Sequence, residues 1–140
     1  MELECDKDQG KKPTVLCLRK DVYLNSNFRT AVWTGTYLQI TLMNIPAGGE
    51  IGLERHDDLD QMLYIESGYA RIYMGKTKEN VSCLGTVGSG SAVIIPAGTW
   101  HNLINVQNAP VKLFSVYAPP QHPFCTVHKT KLDSDLAEQD

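Results

Sequence analysis

Short runs of β-branched and aromatic residues, each cut off by turn residues, limit this chain more than any other feature. The cuts fall at Pro46-Ala47-Gly48-Gly49, Ser67-Gly68, Gly75-Lys76, Gly85 to Gly90, Pro96-Ala97-Gly98 and Gln107-Asn108. Between them there is no room for a run of ordinary helices, and strands are expected instead near residues 14–18, 36–45, 50–56, 61–66, 69–75, 79–84, 91–95, 100–106 and 111–118. Many short strands at close spacing mean an all-β sandwich or barrel. Residues 24–35 are ambiguous, with room for one helical turn. The charged stretch before Pro13 reads as a loose tail. After Lys131, with Ser134 as a candidate N-cap, the chain either forms a short helix or frays.

With 140 residues the chain is long enough for one domain with a real core. A net charge of −3 and a pI near 5.8 argue against nucleic acid and anionic membranes as partners, because both select basic surfaces. No apolar run approaches the length of a membrane span. The opening MELECDKDQGKK is charged rather than apolar, so a cytoplasmic protein without a secretory signal is expected. Cys5, Cys17, Cys83 and Cys125 have no C-x-x-C spacing, and reduced thiols are expected. Cys5 and Cys125 sit in polar stretches and are expected at the surface, Cys17 and Cys83 as small buried hydrophobes.

Chemistry concentrates in GLERHDDLDQMLYIESG, residues 52–68. Strand side chains alternate faces, so Glu54 and His56 share one, with Cα atoms ~7 Å apart. If Asp57-Asp58-Leu59-Asp60 is a four-residue hairpin loop, His56 stands opposite Gln61 at ~5 Å, and Leu63 and Ile65 join that face. Leu53, Arg55, Met62 and Tyr64 take the other face, apolar enough to meet a second sheet or a partner subunit. Turning a carboxylate, an imidazole and a carboxamide inward costs free energy unless hydrogen bonds or a metal ion satisfy them. A second block, GSGSAVIIPAGTWHNLIN at residues 88–105, restarts a strand after its turn and puts His101, Leu103 and Asn105 on one face. A lone histidine there would be read as a hydrogen-bonded core residue. Beside Glu54, His56 and Gln61 it becomes a candidate ligand, provided the fold joins the two blocks.

The two blocks resemble the paired motifs of the cupin superfamily. Gly90, Pro96, Gly98, His101 and Asn105 stand at each spacing of the second motif, G-x5-P-x-G-x2-H-x3-N. In the first, G-x5-H-x-H-x3,4-E-x6-G, Glu54 replaces the first histidine, His56 holds the second, Gln61 replaces the glutamate and Gly68 closes it. The chain also looks like small stand-alone cupins loosely described as resembling mannose-6-phosphate isomerase. The resemblance implies an antiparallel β-barrel of jelly-roll type over about residues 14–118, with a tail at 1–13 and a C-terminal arm at 119–140. It also implies one divalent transition-metal ion inside, bound through Glu54, His56, Gln61 and His101, and a homodimer.

The usual ligand set of the family is three histidines and a glutamate. Here the single formal charge has moved from position 61 to position 54. Glu54, His56 and His101 make a 2-His-1-carboxylate set with open positions, suited to Fe(II), with Mn, Ni or Zn as alternatives. Gln61 is then a weak ligand or orients a metal-bound water. The opposing reading is a metal-free barrel in which Glu54 pairs with a histidine and Gln61 bonds to both.

For function, the first reading is a metal-dependent enzyme on a small polar molecule such as a sugar or hydroxy-carbonyl compound, isomerase-like, or a dioxygenase if the metal is Fe(II). The others are a non-catalytic small-molecule or metal-binding module and a metal-free structural protein; no convincing general base stands out. His122, Cys125 and His128 follow at three-residue intervals in YAPPQHPFCTVHKTK. With no fourth ligand nearby, an extended proline-stiffened arm that crosses or caps the barrel is expected there, not a zinc site.

Overall fold

The computed structural model describes residues 5–138. Helix α1 (Leu18–Leu24) is followed by strands β1 (Arg29–Thr34), β2 (Gln39–Ile45), β3 (Asp60–Ser67), β4 (Ala70–Gly75), β5 (Ser82–Val87), β6 (Ala92–Ile95), β7 (Trp100–Ile104), β8 (Val111–Ala118) and β9 (Val127–His128), and by helix α2 (Lys131–Ala137). A six-stranded sheet in the order β6-β3-β8-β2-β1-β9 packs against a three-stranded sheet in the order β5-β4-β7. All pairings are antiparallel. This is the all-β jelly roll expected from the sequence, although the two sheets do not close into a continuous barrel.

The gap in closure explains where two expected strands went. Residues 50–56 form no strand and do not fold back on β3. They run beside β7 through two isolated bridges, Glu50 with Ile104 and Glu54 with His101. The expected hairpin is therefore absent: Gln61 pairs with Ile95 and Tyr117, and His56 holds the Gly98 N–H on its carbonyl at 2.8 Å. Gly98, at φ +82°, supplies the left-handed residue this tight turn needs. Residues 14–17 likewise find no ladder, and Val15 is 95% exposed. Leu18 and Val22, one helical turn apart, place α1 on the outer face of the large sheet, where Val22 joins Val32 and Leu42. The ambiguous stretch supplies β1, bulged between Ala31 and Trp33. Helix α2 is capped by Thr130, not Ser134: Thr130 Oγ1 accepts the Asp133 N–H at 3.2 Å in a capping box. Ser134 instead accepts a hydrogen bond from Arg29.

Strand alternation divides the interior into two halves. At one end Met43, Ile45, Leu63, Ile65, Ile72, Val93, Leu103, Val111 and Leu113 form one apolar cluster from both sheets. At the other end the inward positions of the same strands are polar and buried: Arg29, Gln39, Thr41, Gln61, His101, Ser115, together with Tyr117. Register puts Tyr117 between Gln39 and Gln61, and Ser115 between Thr41 and Leu63. An apolar half that dense can carry the fold while the polar half serves another purpose. Asn105 closes the apolar end; its Nδ2 donates to the carbonyls of Ile45, Pro46 and Ala109 at 3.1, 3.1 and 2.8 Å.

The cysteines depart from expectation. Cys5 and Cys125 form a disulfide, and Cys17 and Cys83 are exposed. Chain-distant residues 5 and 125 meet because Asp8, itself buried, accepts the Cys125 N–H at 2.9 Å and the Thr34 hydroxyl at 2.6 Å. Residues 121–129 run along the edge of β1: Gln39 Oε1 accepts the His122 N–H at 2.9 Å, and Arg29 pairs with His128.

Candidate metal centre

Glu54, His56 and His101 come together at the polar end although they lie on two chain segments. The Glu54–His101 bridge, with N···O distances of 3.0 and 2.9 Å, fixes the two backbones side by side. His56 is positioned by the Gly98 turn. One donor atom from each side chain lies within 4.8 Å of the other two. Glu54 Oε1 is 3.3 Å from His56 Nε2 and 3.4 Å from His101 Nε2.

The hydrogen-bond directions decide what this cluster can hold. His101 Nδ1 lies 2.9 Å from the Thr99 carbonyl, an acceptor, so Nδ1 carries a proton and Nε2 is the nitrogen that the neutral imidazole would present as a lone pair. That Nε2 is buried and has no hydrogen-bond partner among the described residues. Gln61 Nε2 donates to Ser115 Oγ at 2.9 Å, which leaves Gln61 Oε1 as a second buried acceptor without a donor. A carboxylate oxygen, an imidazole lone pair and an amide oxygen are all acceptors, and an end of the interior rich in such groups suits a cation. Burial opposes ionisation of Glu54, yet the His101 and His56 imidazoles beside it outweigh burial and hold its carboxyl well below the usual carboxylate range. The site therefore offers an anionic oxygen at neutral pH.

A cavity of about 700 Å³ opens over Glu54 and His56. Its far wall is the C-terminal arm and the end of α2, with His122, His128 and Glu138. Tyr117 lies between floor and wall: its ring meets the His56 ring edge-on at 6.2 Å, and its hydroxyl is 3.3 Å from His122 Nε2. Burial pushes the Tyr117 hydroxyl's pKa up, so it keeps its proton. Burial, followed by the charge of Arg29, lowers the pKa of His122 to about 3, so it is neutral at physiological pH. His122, Cys125 and His128 do not make a second metal cluster among the described residues, since Cys125 is in the disulfide.

All four sequence-derived candidates thus lie at the polar end, three of them converging; Asp57 and Asp58 are exposed, and Arg55 turns to Asp57 at 2.8 Å. The sequence reading missed Arg29, Tyr117 and Glu138. Arg29 and Ala31 alternate inward on β1, and that period was the only signal available for Arg29.

Comparison with known proteins gives matches in both sequence and structure. The family described as Cupin domain matches residues 41–117, a span that holds Glu54, His56, Gln61, His101 and Tyr117 but neither Arg29 nor the arm. The uncharacterized protein YrkC of Bacillus subtilis (strain 168) is 50% identical over 132 residues, which cover 94% of this chain and 71% of that protein. The uncharacterized protein L612 of Acanthamoeba polyphaga mimivirus is 36% identical over 110 residues, 78% of this chain and 67% of that protein. The crystal structure of BH2720 from Bacillus halodurans superposes with a TM-score of 0.91 at 46% identity and covers 93% of this chain and 98% of that one. No helix among the described residues is long and apolar enough to cross a membrane.

Proposed function

The chain belongs to the cupin domain family, and from that premise we propose that it binds one divalent transition-metal ion through Glu54, His56 and His101 and acts on a small polar molecule held over that ion. The observation that carries the reading is the convergence of Glu54, His56 and His101, whose donor atoms lie within 4.8 Å of one another, with His101 Nε2 buried and without a hydrogen-bond partner among the described residues. The donor set fits such an ion, since two neutral imidazoles and one carboxylate suit Fe(II), Mn, Ni or Zn and leave coordination positions open. Gln61, a neutral amide, serves as a weak fourth ligand or orients a water from behind.

When bound, the ion would supply a Lewis acid for a substrate carbonyl or hydroxyl oxygen. The remaining work falls to the chain itself. His122, neutral and fixed by Tyr117, can donate or accept a hydrogen bond without adding charge. The arm supplies one wall of the cavity. These features suit a sugar or hydroxy-carbonyl compound in an isomerase-like reaction.

Elemental analysis of untagged protein purified without chelator tests the reading. About one equivalent of a single metal is expected, and it should be lost in a folded His101→Ala variant. No metal after reconstitution with Fe(II), Mn, Ni and Zn in turn would remove the proposal.

We also propose a homodimer through the outer face of β6, β3 and β8. Ile94 is 60% exposed there, and the Tyr64 and Phe114 rings stack at 5.2 Å on the same face. Light scattering should give about twice the 15.6 kDa chain mass, falling to one chain in Ile94→Glu. A monomeric parent would refute this part.

A further inference from the structure

The polar end contains a buried guanidinium that the metal reading leaves unused. Arg29 is 2% exposed, and a buried guanidinium is costly unless an anion and full hydrogen bonding compensate it. Its Nη1 lies 3.0 Å from His128 Nδ1 and 2.6 Å from Ser134 Oγ, both neutral partners, and its Nε is buried with no partner among the described residues. Within 4.0 Å of it the described residues offer one carboxylate, that of Glu138. The same Glu138 Oε1 is 3.6 Å from His122 Nδ1. If the Tyr117 hydroxyl donates to His122 Nε2, Nδ1–H is turned toward that oxygen.

Arg29 and His122 thus flank a carboxylate oxygen at distances longer than hydrogen bonds, and that oxygen sits in the wall of the cavity whose floor holds Glu54 and His56. We propose that Arg29 and His122 form a carboxylate-binding subsite, that Glu138 occupies it in the resting chain, and that the small molecule this cavity takes carries a carboxylate which displaces Glu138. The last clause rests on the metal-site reading; the subsite itself does not. Three facts favour displacement. Glu138 is at the C-terminal end of a two-turn helix, its side chain is 40% exposed, and its contacts are loose. Burial raises the Glu138 pKa, so the seat is an imperfect one for its own carboxylate. A ligand in the cavity would place its carboxylate on a fixed cation, with a charge-assisted hydrogen bond in place of the loose contacts of Glu138.

The test uses chelator-treated protein, shown to be folded by circular dichroism, so that no metal competes for the probe. Acetate is titrated and the Arg29 and His122 resonances are followed by NMR. If Glu138 fills the subsite about 90% of the time, Glu138→Gln should tighten acetate binding about tenfold, and Arg29→Gln should abolish the saturable shift. Equal acetate affinity in the parent and Glu138→Gln would overturn the proposal, as would saturable binding retained in Arg29→Gln. Inorganic phosphate binding as tightly as acetate would overturn the carboxylate assignment. Should Arg29→Gln fail to fold, the parent and Glu138→Gln comparison decides alone. Metal uptake, measured separately without chelator, keeps the two readings apart: metal bound with no Glu138 effect removes only the subsite, and a Glu138 effect without metal uptake removes only the metal centre.

Discussion

Glu54→Gln is expected to weaken metal binding by roughly a thousandfold, about 4 kcal/mol, while leaving the fold intact. The substitution keeps the volume and one oxygen of the side chain but removes the only formal negative charge in the cluster of Glu54, His56, Gln61 and His101. Competition against a chromophoric chelator would measure the loss. The metal-free protein gives a second result. Against the opposing effect of burial, the His101 and His56 imidazoles hold the Glu54 carboxyl well below the usual carboxylate range, so the ionised group stabilises the chelated fold at neutral pH. Urea melts of chelated protein at neutral pH should therefore show Glu54→Gln less stable than the parent. Unchanged metal affinity in the variant would sink the metal reading.

Much of this candidate site was legible in the sequence because its residues follow strand alternation or a turn motif. His101 and Leu103 share a face by period two, and both are buried. Gly98 and Asn105 hold spacings that the turn and the backbone clamp require. Leu63 and Ile65 fell inward and Met62 and Tyr64 outward, as alternation demands. The failures have a common cause: sequence shows whether a segment is apolar and extended, but not which edge will accept it. Residues 14–17 and 50–56 both look like strands. The first finds no ladder and gives way to α1; the second meets β7 through two bridges only, so Gln61 reaches the polar end beside Tyr117 and not through the hairpin expected. Contacts across the whole chain were out of reach. Asp8 reaches Cys125, and Arg29 reaches Ser134 and Glu138, and no local period reports such pairs. Cys5 and Cys125 were read as exposed thiols because their polar surroundings hide a separation of 120 residues closed by β9 and Asp8.

Acid is expected to destabilise the chelated protein through His122 well before the carboxylates unfold it. Burial first, then the positive charge of Arg29, puts the His122 pKa at about 3 in the native state, against about 6.5 in an unfolded chain. Between those values the unfolded chain takes up a proton that the native site refuses. Stability contributed by His122 is therefore fully present above pH 6.5, falls as pH drops, and stops falling near pH 3, where both states are protonated. One such group gives a slope of about 1.4 kcal/mol per pH unit. Neighbours add to or oppose it. The His128 pKa is also lowered, with burial as the main cause, and acts in the same direction. Glu54 adds its own loss only as pH passes below the unfolded carboxylate value near 4.5, whereas Glu138, whose pKa burial raises, works the other way. The diagnostic window is pH 6.5 to 4.5, and the diagnostic quantity is the parent curve minus that of His122→Gln, whose carboxamide can still bond to Tyr117 but cannot titrate. Over those two units the parent should lose about 2–3 kcal/mol more than the variant in urea unfolding. Parallel curves would mean that His122 takes up its proton in the folded state, and that the wall facing Glu54 and His56 is wetter and more charged than its packing against Tyr117 and Arg29 implies.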